Sequence, residues 1–292
     1  MIAPIALPHV ATSPAPDHAM PTPGSVPPAR LVVLHTARLV GRDLVRNRWL
    51  LSSALGFALV TELLIRLGGD GLRIVASLVN VVLAATPLVS AVFTVVYWHV
   101  AQDFVALLLA QPLRRSAVFA GVALGLVVPL AAAFVAGVGL PLVVHRSIDR
   151  DTARAAFTLL GCGVALTATF SGLALAIAVR SADRVRALGA VLALWGLLAI
   201  AYDGVVLFIT TRFSDYALER PLLALAALNP IDLARVLLLL EVDRPMLLGY
   251  TGAVLERFFG GATGSILAGS VLLLWIVVPM WIAARGFARR DL

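Results

Sequence analysis

The sequence predicts an all-α, polytopic membrane protein with six transmembrane helices, an N-terminal amphipathic interfacial helix and a second short amphipathic helix on the cytoplasmic side. Three observations carry that prediction. Of 292 residues, 61% are hydrophobic and only 13% are charged, where a soluble domain holds about a quarter charged residues. The high mean hydropathy of +0.98 is divided among six apolar stretches, each with the roughly 20 residues needed to cross a bilayer as a helix. Net positive charge falls on alternate connections between those stretches.

Residues 1–28 hold eight of the sixteen prolines and almost no charge, and read as a disordered tail. They lack the basic start and unbroken apolar run of a signal peptide, and Met20 is a second candidate start. Residues 29–292 then form one membrane domain. Its first element is a helix over 29–48. Val33, Ala37, Val40 and Leu44 share one face, and His35, Arg38, Arg42 and Arg46 share the opposite face. A basic amphipathic helix of this kind lies in the cytoplasmic interface against membrane lipid. Asn47 and Arg48 lead into the first span, with Trp49 at headgroup level.

The spans fall at about 49–67, 74–98, 116–144, 156–179, 187–209 and 264–284. The third is over-long and contains Pro129 and Pro141, which predict a tilt or kink. Between the second and third, the stretch Tyr97–Gly121 changes character. Val100, Ala101, Phe104, Val105, Leu108 and Leu109 recur at helical spacing, while Gln102 and Asp103 fall off that stripe. Pro112 stops the helix, because the residue before a proline is pushed out of the helical region. Arg114 and Arg115 mark the return to the membrane surface. Such a helix suits docking of a cytoplasmic partner, or simple rest on lipid.

The connection 210–263 is long and mixed. Within it, 221–241 is apolar enough to span, yet Asn229, Pro230, Asp232 and Arg235 fall at its middle. Charges at mid-membrane are expensive. Two short helices at the outer leaflet are predicted instead, with Asn229 capping the second, Pro230 in its first turn and Asp232 facing the helix dipole. Orientation follows from charge. With both termini in the cytoplasm, the inner segments hold 13 arginines against five acids, and the outer side ten arginines against eleven acids. That is the positive-inside pattern of a cytoplasmic membrane protein.

Composition also excludes functions. All 23 basic residues are arginine, and a GxxxxGK[ST] loop needs a lysine at the phosphates, so the chain carries no such nucleotide site. The net charge of +7 reflects the cytoplasmic loops rather than a nucleic-acid partner. The single cysteine, Cys162, rules out an internal disulfide and a cysteine metal cluster.

These parts together resemble the permease subunits of type-2 ABC exporters, nearest to the permease of the nitrous-oxide-reductase, or multicopper-enzyme, maturation system. The residues carrying the resemblance are Arg46-Asn47-Arg48-Trp49-Leu50-Leu51 after Arg42-Asp43-Leu44, the run Leu107-Leu108-Leu109 to Pro112-Leu113-Arg114-Arg115, the pair Tyr202-Asp203, and Leu228-Asn229-Pro230-Ile231-Asp232. The resemblance implies a permease without catalytic residues, cofactor or metal, working as two copies with a separate ATPase that binds the ATP. It implies that the helix after span two is a coupling helix seated in that ATPase. Asp103, Phe104, Leu108, Arg114 and Arg115 are then its contact residues, and Phe104 with Leu108 form the knob. It further implies that the outer loop, through Asn229, Pro230 and Asp232, closes an outer gate and meets an extracytoplasmic accessory protein. Copper or sulfur delivery to a metalloenzyme is the implied role, with lipid, peptide or drug export as alternatives. The family's acidic E-x-x-x-G-T run before L-L-L is replaced here by Gln102-Asp103-Phe104-Val105-Ala106, and no lysine follows Gly121.

Of the remaining polar residues, Asp203 in the fifth span is the sharpest, since an acid inside a span is a functional hypothesis by default. Asn80 with Ser77 fits a helix–helix hydrogen bond or a substrate path. Glu62 and Arg66, four apart, fit an ion pair on one helix. His145 lies near Asp149 and Asp151, which fits solvated loop charges or, less well, a metal ion. Three rival classes remain for comparison. An intramembrane enzyme lacks a mid-span histidine or an H-E-x-x-H helix. A stand-alone secondary transporter would place more ionisable groups at mid-membrane. A membrane anchor without its own substrate path is the third.

Overall fold

In the computed structural model, the described residues are 28–67, 71–145, 150–213, 219–242 and 262–289. The expected tail lies outside them except for Pro28. All described secondary structure is helical: α1 (Ala29–Val45), α2 (Arg48–Leu67), α3 (Gly71–Val100), α4 (Gln102–Leu109), α5 (Arg115–Val144), α6 (Arg150–Ala178), α7 (Arg184–Gly196), a π-helical turn (Leu197–Ala201), α8 (Tyr202–Arg212), α9 (Glu219–Leu228), α10 (Pro230–Val242) and α11 (Ala262–Ala288).

Six segments are long and apolar enough to cross a membrane: α2, α3, α5, α6, the continuous run α7–π–α8, and α11. They extend the predicted stretches by a few residues at most ends. α9 and α10 are two short helices, of 10 and 13 residues, broken at Asn229, as the charges at the middle of 221–241 require. Successive crossings place α1, α4 and the connection 179–183 on one face of the bundle, the near face. The ends of α2 and α5 and the segments α9–α10 belong to the far face.

The exposed surface identifies the solvent. Leu51, Leu55, Leu59 and Leu63 on span one, and Leu197, Ile200, Leu207 and Phe208 on span five, are all exposed. Rows of large apolar side chains on the outside of a fold are stable against lipid or a partner subunit, not against water.

The core forms around α5, which touches α1, α2, α6 and α11. Its small residues decide what it packs against. A Cβ added at Gly121 would lie 2.5 Å from the Thr36 Cβ, and one at Gly125 would lie 2.6 Å from the Val40 Cβ. One at Gly137 would meet the Ala54 carbonyl at 2.6 Å and the Phe57 Cβ at 2.7 Å. Glycines spaced by fours thus let α1, and then α2, lie directly on the α5 backbone, as in small-xxx-small packing of membrane helices. This packing shifts the buried stripe of α1. Val32, Thr36, Val40 and Leu44 are buried, while Val33 and Ala37 are only half-buried. The expected face through Val33 and Ala37 is therefore corrected by one residue, because the α5 glycines receive Thr36 and Val40. Arg38, Arg42 and Arg46 remain exposed.

α5 runs unbroken through Pro129 and Pro141. At about 1.5 Å per residue its 30 residues span about 45 Å, more than the roughly 30 Å hydrocarbon core, so tilt or projection beyond it follows.

Candidate functional site: the α4 corner and the far-face polar cluster

At the near face, Ala101 (φ −86°, ψ 0°) breaks the helix of span two and α4 begins at Gln102. The break removes Val100 from the expected apolar stripe, since its side chain is 68% exposed. Val105 is buried, and Phe104, Leu108 and Leu109 are half-buried against the chain's own core. The outward face of α4 carries Asp103, Ala106 and Leu107, with Leu107 67% exposed. The knob expected from Phe104 and Leu108 therefore faces largely inward, and Leu107 is the apolar side chain that projects. Sequence periodicity missed Leu107 because a stripe of apolar residues says which face is greasy, not which of two greasy faces the rest of the chain occupies.

Below α4 lies an aromatic platform. The Trp98 and Phe287 rings meet edge to face at 5.8 Å, and Phe119 tilts against Phe287 at 5.5 Å. These rings join spans two, three and six. The Arg180 guanidinium donates to the Ala176 carbonyl at 2.7 Å and to the Ile282 carbonyl at 3.2 Å, tying span four to span six. Gly286 leaves room for it: a Cβ there would lie 3.3 Å from the guanidinium. Around the corner, Gln111, Pro112, Arg114 and Arg115 are exposed. A groove of about 960 Å³ runs between α1 and the start of α5, and Arg38 and Leu108 line it together. The tertiary structure thus brings the basic interfacial helix and the α4 corner into one near-face surface.

At the far face, the motifs Tyr202-Asp203 and Leu228-Asn229-Pro230-Ile231-Asp232 meet. Asn229 is fully buried. Its Oδ1 accepts the Ile231 N–H at 3.0 Å, capping α10, and its Nδ2 donates to the Leu198 carbonyl at 2.8 Å. Leu198 lies in the π-helical turn of span five, where widened winding displaces backbone carbonyls from their usual partners. The Tyr202 hydroxyl donates to the Leu225 carbonyl at 2.6 Å, and the Trp275 indole of span six donates to the Ala227 carbonyl at 3.0 Å. Both carbonyls belong to the last turn of α9, which has no intrahelical partners for them. Arg235 closes the cluster: its Nη1 lies 2.9 Å from both Asp203 carboxylate oxygens and 3.1 Å from Asp232 Oδ1. Asp203 is thus held by an ion pair to α10. The π-helical turn had no signal in Leu197–Ala201, an ordinary apolar run.

Burial pushes Asp232 up to about 6 from the ordinary 3.8, against the pull of Arg235 and with the Asp203 carboxylate adding to the rise. A carboxyl raised in the fold holds its proton more tightly there than in the unfolded chain. Its contribution to stability is full below the ordinary value and is lost as pH rises through about 6. Arg235→Ala leaves two carboxylates facing each other, so the loss extends to higher pH. The expected cost is about 1–2 kcal/mol, below the ~3–5 of a fully buried broken pair because the side chains are partly solvated. Thermal unfolding of the variant should show a larger drop in Tm at about pH 7.5 than at about pH 5.5. An equal drop at both would separate Asp232 from the pair.

The other polar candidates resolve simply. Ser77 and Asn80 are exposed on α3. Glu62 pairs with Arg66 at 2.7 Å on α2, and the His145 Nε2 lies 3.5 Å from the other Glu62 oxygen. Residues 146–149 lie outside the described residues, so the metal site considered around His145, Asp149 and Asp151 is not described. Among the described residues no group of three metal-ligating side chains occurs.

Six crossing helices, a helix docked on span three and a short helix between spans two and three define a multi-pass integral membrane protein. Residues 105–292 match the family described as ABC-2 family transporter protein, and the chain belongs to that family. Over 269 residues, 87% of this chain and 94% of the relative, it is 28% identical to the probable ABC transporter permease protein NosY of Pseudomonas aeruginosa. The chain is accordingly of the membrane-subunit class of ABC transporters, the class that the quoted motifs resemble.

Proposed function

We propose that this chain is the permease of an ATP-driven exporter, coupling hydrolysis by a separate ATPase to movement of a substrate across the cytoplasmic membrane. The observation that carries it is α4: an eight-residue helix anchored by buried Val105, with Asp103 and Leu107 turned outward beside the arginines of α1. The chain has no lysine, so the nucleotide loop belongs to the partner. The near face is the cytoplasmic one, because it bears the excess of arginine. Two copies of the chain form the path. Ser77 and Asn80 support this, since both turn away from the chain's own core at membrane depth, where polar groups normally face a partner or a water-filled cavity. On the outer face, Asn229, Pro230 and Asp232 hold α9–α10 to span five as a gate that also meets an extracytoplasmic accessory protein. The resemblance of its motifs to the multicopper-enzyme maturation permeases supports copper or sulfur delivery to a metalloenzyme as the system's role.

The test is recruitment. Purified alone, the chain should neither bind nor hydrolyse ATP. Co-expressed with its ATPase, it should hold that protein at the membrane. Reporters after Leu292 and within 180–183 should sit on the ATPase side, and one near Ser214 on the other. Specific nucleotide binding by the isolated chain would sink the reading.

A further inference from the structure

A second cleft opens at the near face, apart from the α4 corner. Its volume is about 350 Å³, and its walls come from the end of α1, the starts of spans one and five, and the last turns of span two. The apolar wall is Val92, Phe93, Val96 and Val100. At about 1.5 Å per residue, that wall reaches about 12 Å along span two from its near-face end. Two opposite charges line the same cleft. Asp43 lies near the Tyr97 hydroxyl in this cleft, and its carboxylate carries more acceptor positions than that one donor can fill. Arg184, at the start of span five, has no protein partner among the described residues. A lone guanidinium and a carboxylate lining one cleft, with a hydrocarbon wall at the near-face end of span two, are complementary to one kind of occupant.

We propose that this cleft seats one zwitterionic aminophospholipid from the leaflet at the near face. The Arg184 guanidinium takes the phosphate, for which its fork of donors is suited. Asp43 takes the primary ammonium, and the first acyl methylenes lie along Val92 and Val96. A phosphoglycerol headgroup would leave Asp43 without its cation. A choline headgroup has no N–H for it. The larger α1–α5 groove shows no such match, since it is lined by the basic side chains His35 and Arg38 and by no acid. The inference does not rest on the exporter reading, because it concerns one chain in one leaflet.

The full chain, extracted in mild detergent, is titrated by native mass spectrometry with phosphatidylethanolamine, phosphatidylglycerol and phosphatidylcholine of identical chains. Wild type should retain one phosphatidylethanolamine per chain with about tenfold preference over the other two, equal to about 1.4 kcal/mol. Asp43→Asn keeps the size and an acceptor oxygen beside Tyr97 but loses the charge, and should bring that preference to near parity. Arg184→Gln, at an exposed position, should weaken all three. Val96→Trp should fill the cleft and abolish retention. Glycerophosphoethanolamine, which lacks acyl chains, should compete poorly. Equal binding of the three lipids by wild type, or unchanged lipid retention in Asp43→Asn and Arg184→Gln, overturns the proposal. So does a change in recovery of a second chain or the ATPase without a change in lipid, which would make the cleft a protein interface.

Discussion

Leu107→Glu should release the ATPase while the permease stays inserted and folded. Leu107 is 67% exposed on α4 and contributes little to the core, so a change there costs the fold little. On the proposed reading, the same side chain is the apolar anchor at the centre of the outward face of this short helix. Truncating a central anchor commonly costs more than about 1 kcal/mol, and burying an unpaired carboxylate costs several kcal/mol more. A loss of at least 2–3 kcal/mol, or about 30- to 150-fold in affinity, is expected. Asp103→Asn lies at the rim and should weaken the complex less, mainly through its salt dependence. Phe104→Ala with Leu108→Ala behaves differently from Leu107→Glu. Both side chains are half-buried against the permease core, so the double variant should lower permease abundance as well as ATPase recovery. The measurement is co-purification, with permease abundance as control. Full ATPase recovery with Leu107→Glu would return α4 to the role of a helix resting on lipid.

Gly125→Val should detach α1 from span three. The added Cβ falls 2.6 Å from the Val40 Cβ, 2.7 Å from a Val40 methyl and 2.9 Å from the Ala37 carbonyl oxygen. None of these is the free end of a flexible side chain, so the two helices must separate. Overpacking of a tight core costs about 1–3 kcal/mol even where side chains adjust, and here the obstruction includes backbone. A reporter is available in Thr36, buried in the same seam. Thiol labelling of Thr36→Cys should be slow in the wild-type background and at least about tenfold faster with Gly125→Val, if local opening drops by the ~1.4 kcal/mol that such a factor represents. Gly56→Val is the control, because a Cβ at Gly56 meets nothing within 4 Å. Equal labelling in both backgrounds would mean that α1 follows its partner by sliding rather than lifting.

The candidate sites were legible to different depths. Arg38, Arg42 and Arg46 could be assigned to an exposed face from helical spacing, because charges on an amphipathic helix have one stable side. Asn229 could be read as a helix cap, because Asn-Pro followed by an acid is a local device that needs no distant partner. Asp203 could be flagged as unusual within a span, yet its partner Arg235 lies 32 residues away. Nothing local in either segment encodes that pairing.

Hydropathy and arginine placement by themselves determined an all-α protein, its six spans, the interfacial helix and the short helix after span two. These are properties of one helix against its solvent, and they add along the chain residue by residue. Only the tertiary structure decided that Leu107 rather than Phe104 projects, that α1 turns by one residue to place Thr36 and Val40 over Gly121 and Gly125, and that span five winds into a π-turn beside Asn229. Each of these depends on the shape of a second helix. In lipid, apolar surfaces compete equally well for lipid and for protein. Hydrophobicity therefore brings a helix into the membrane, while close packing at glycines and the satisfaction of buried polar groups choose which face of it meets which neighbour.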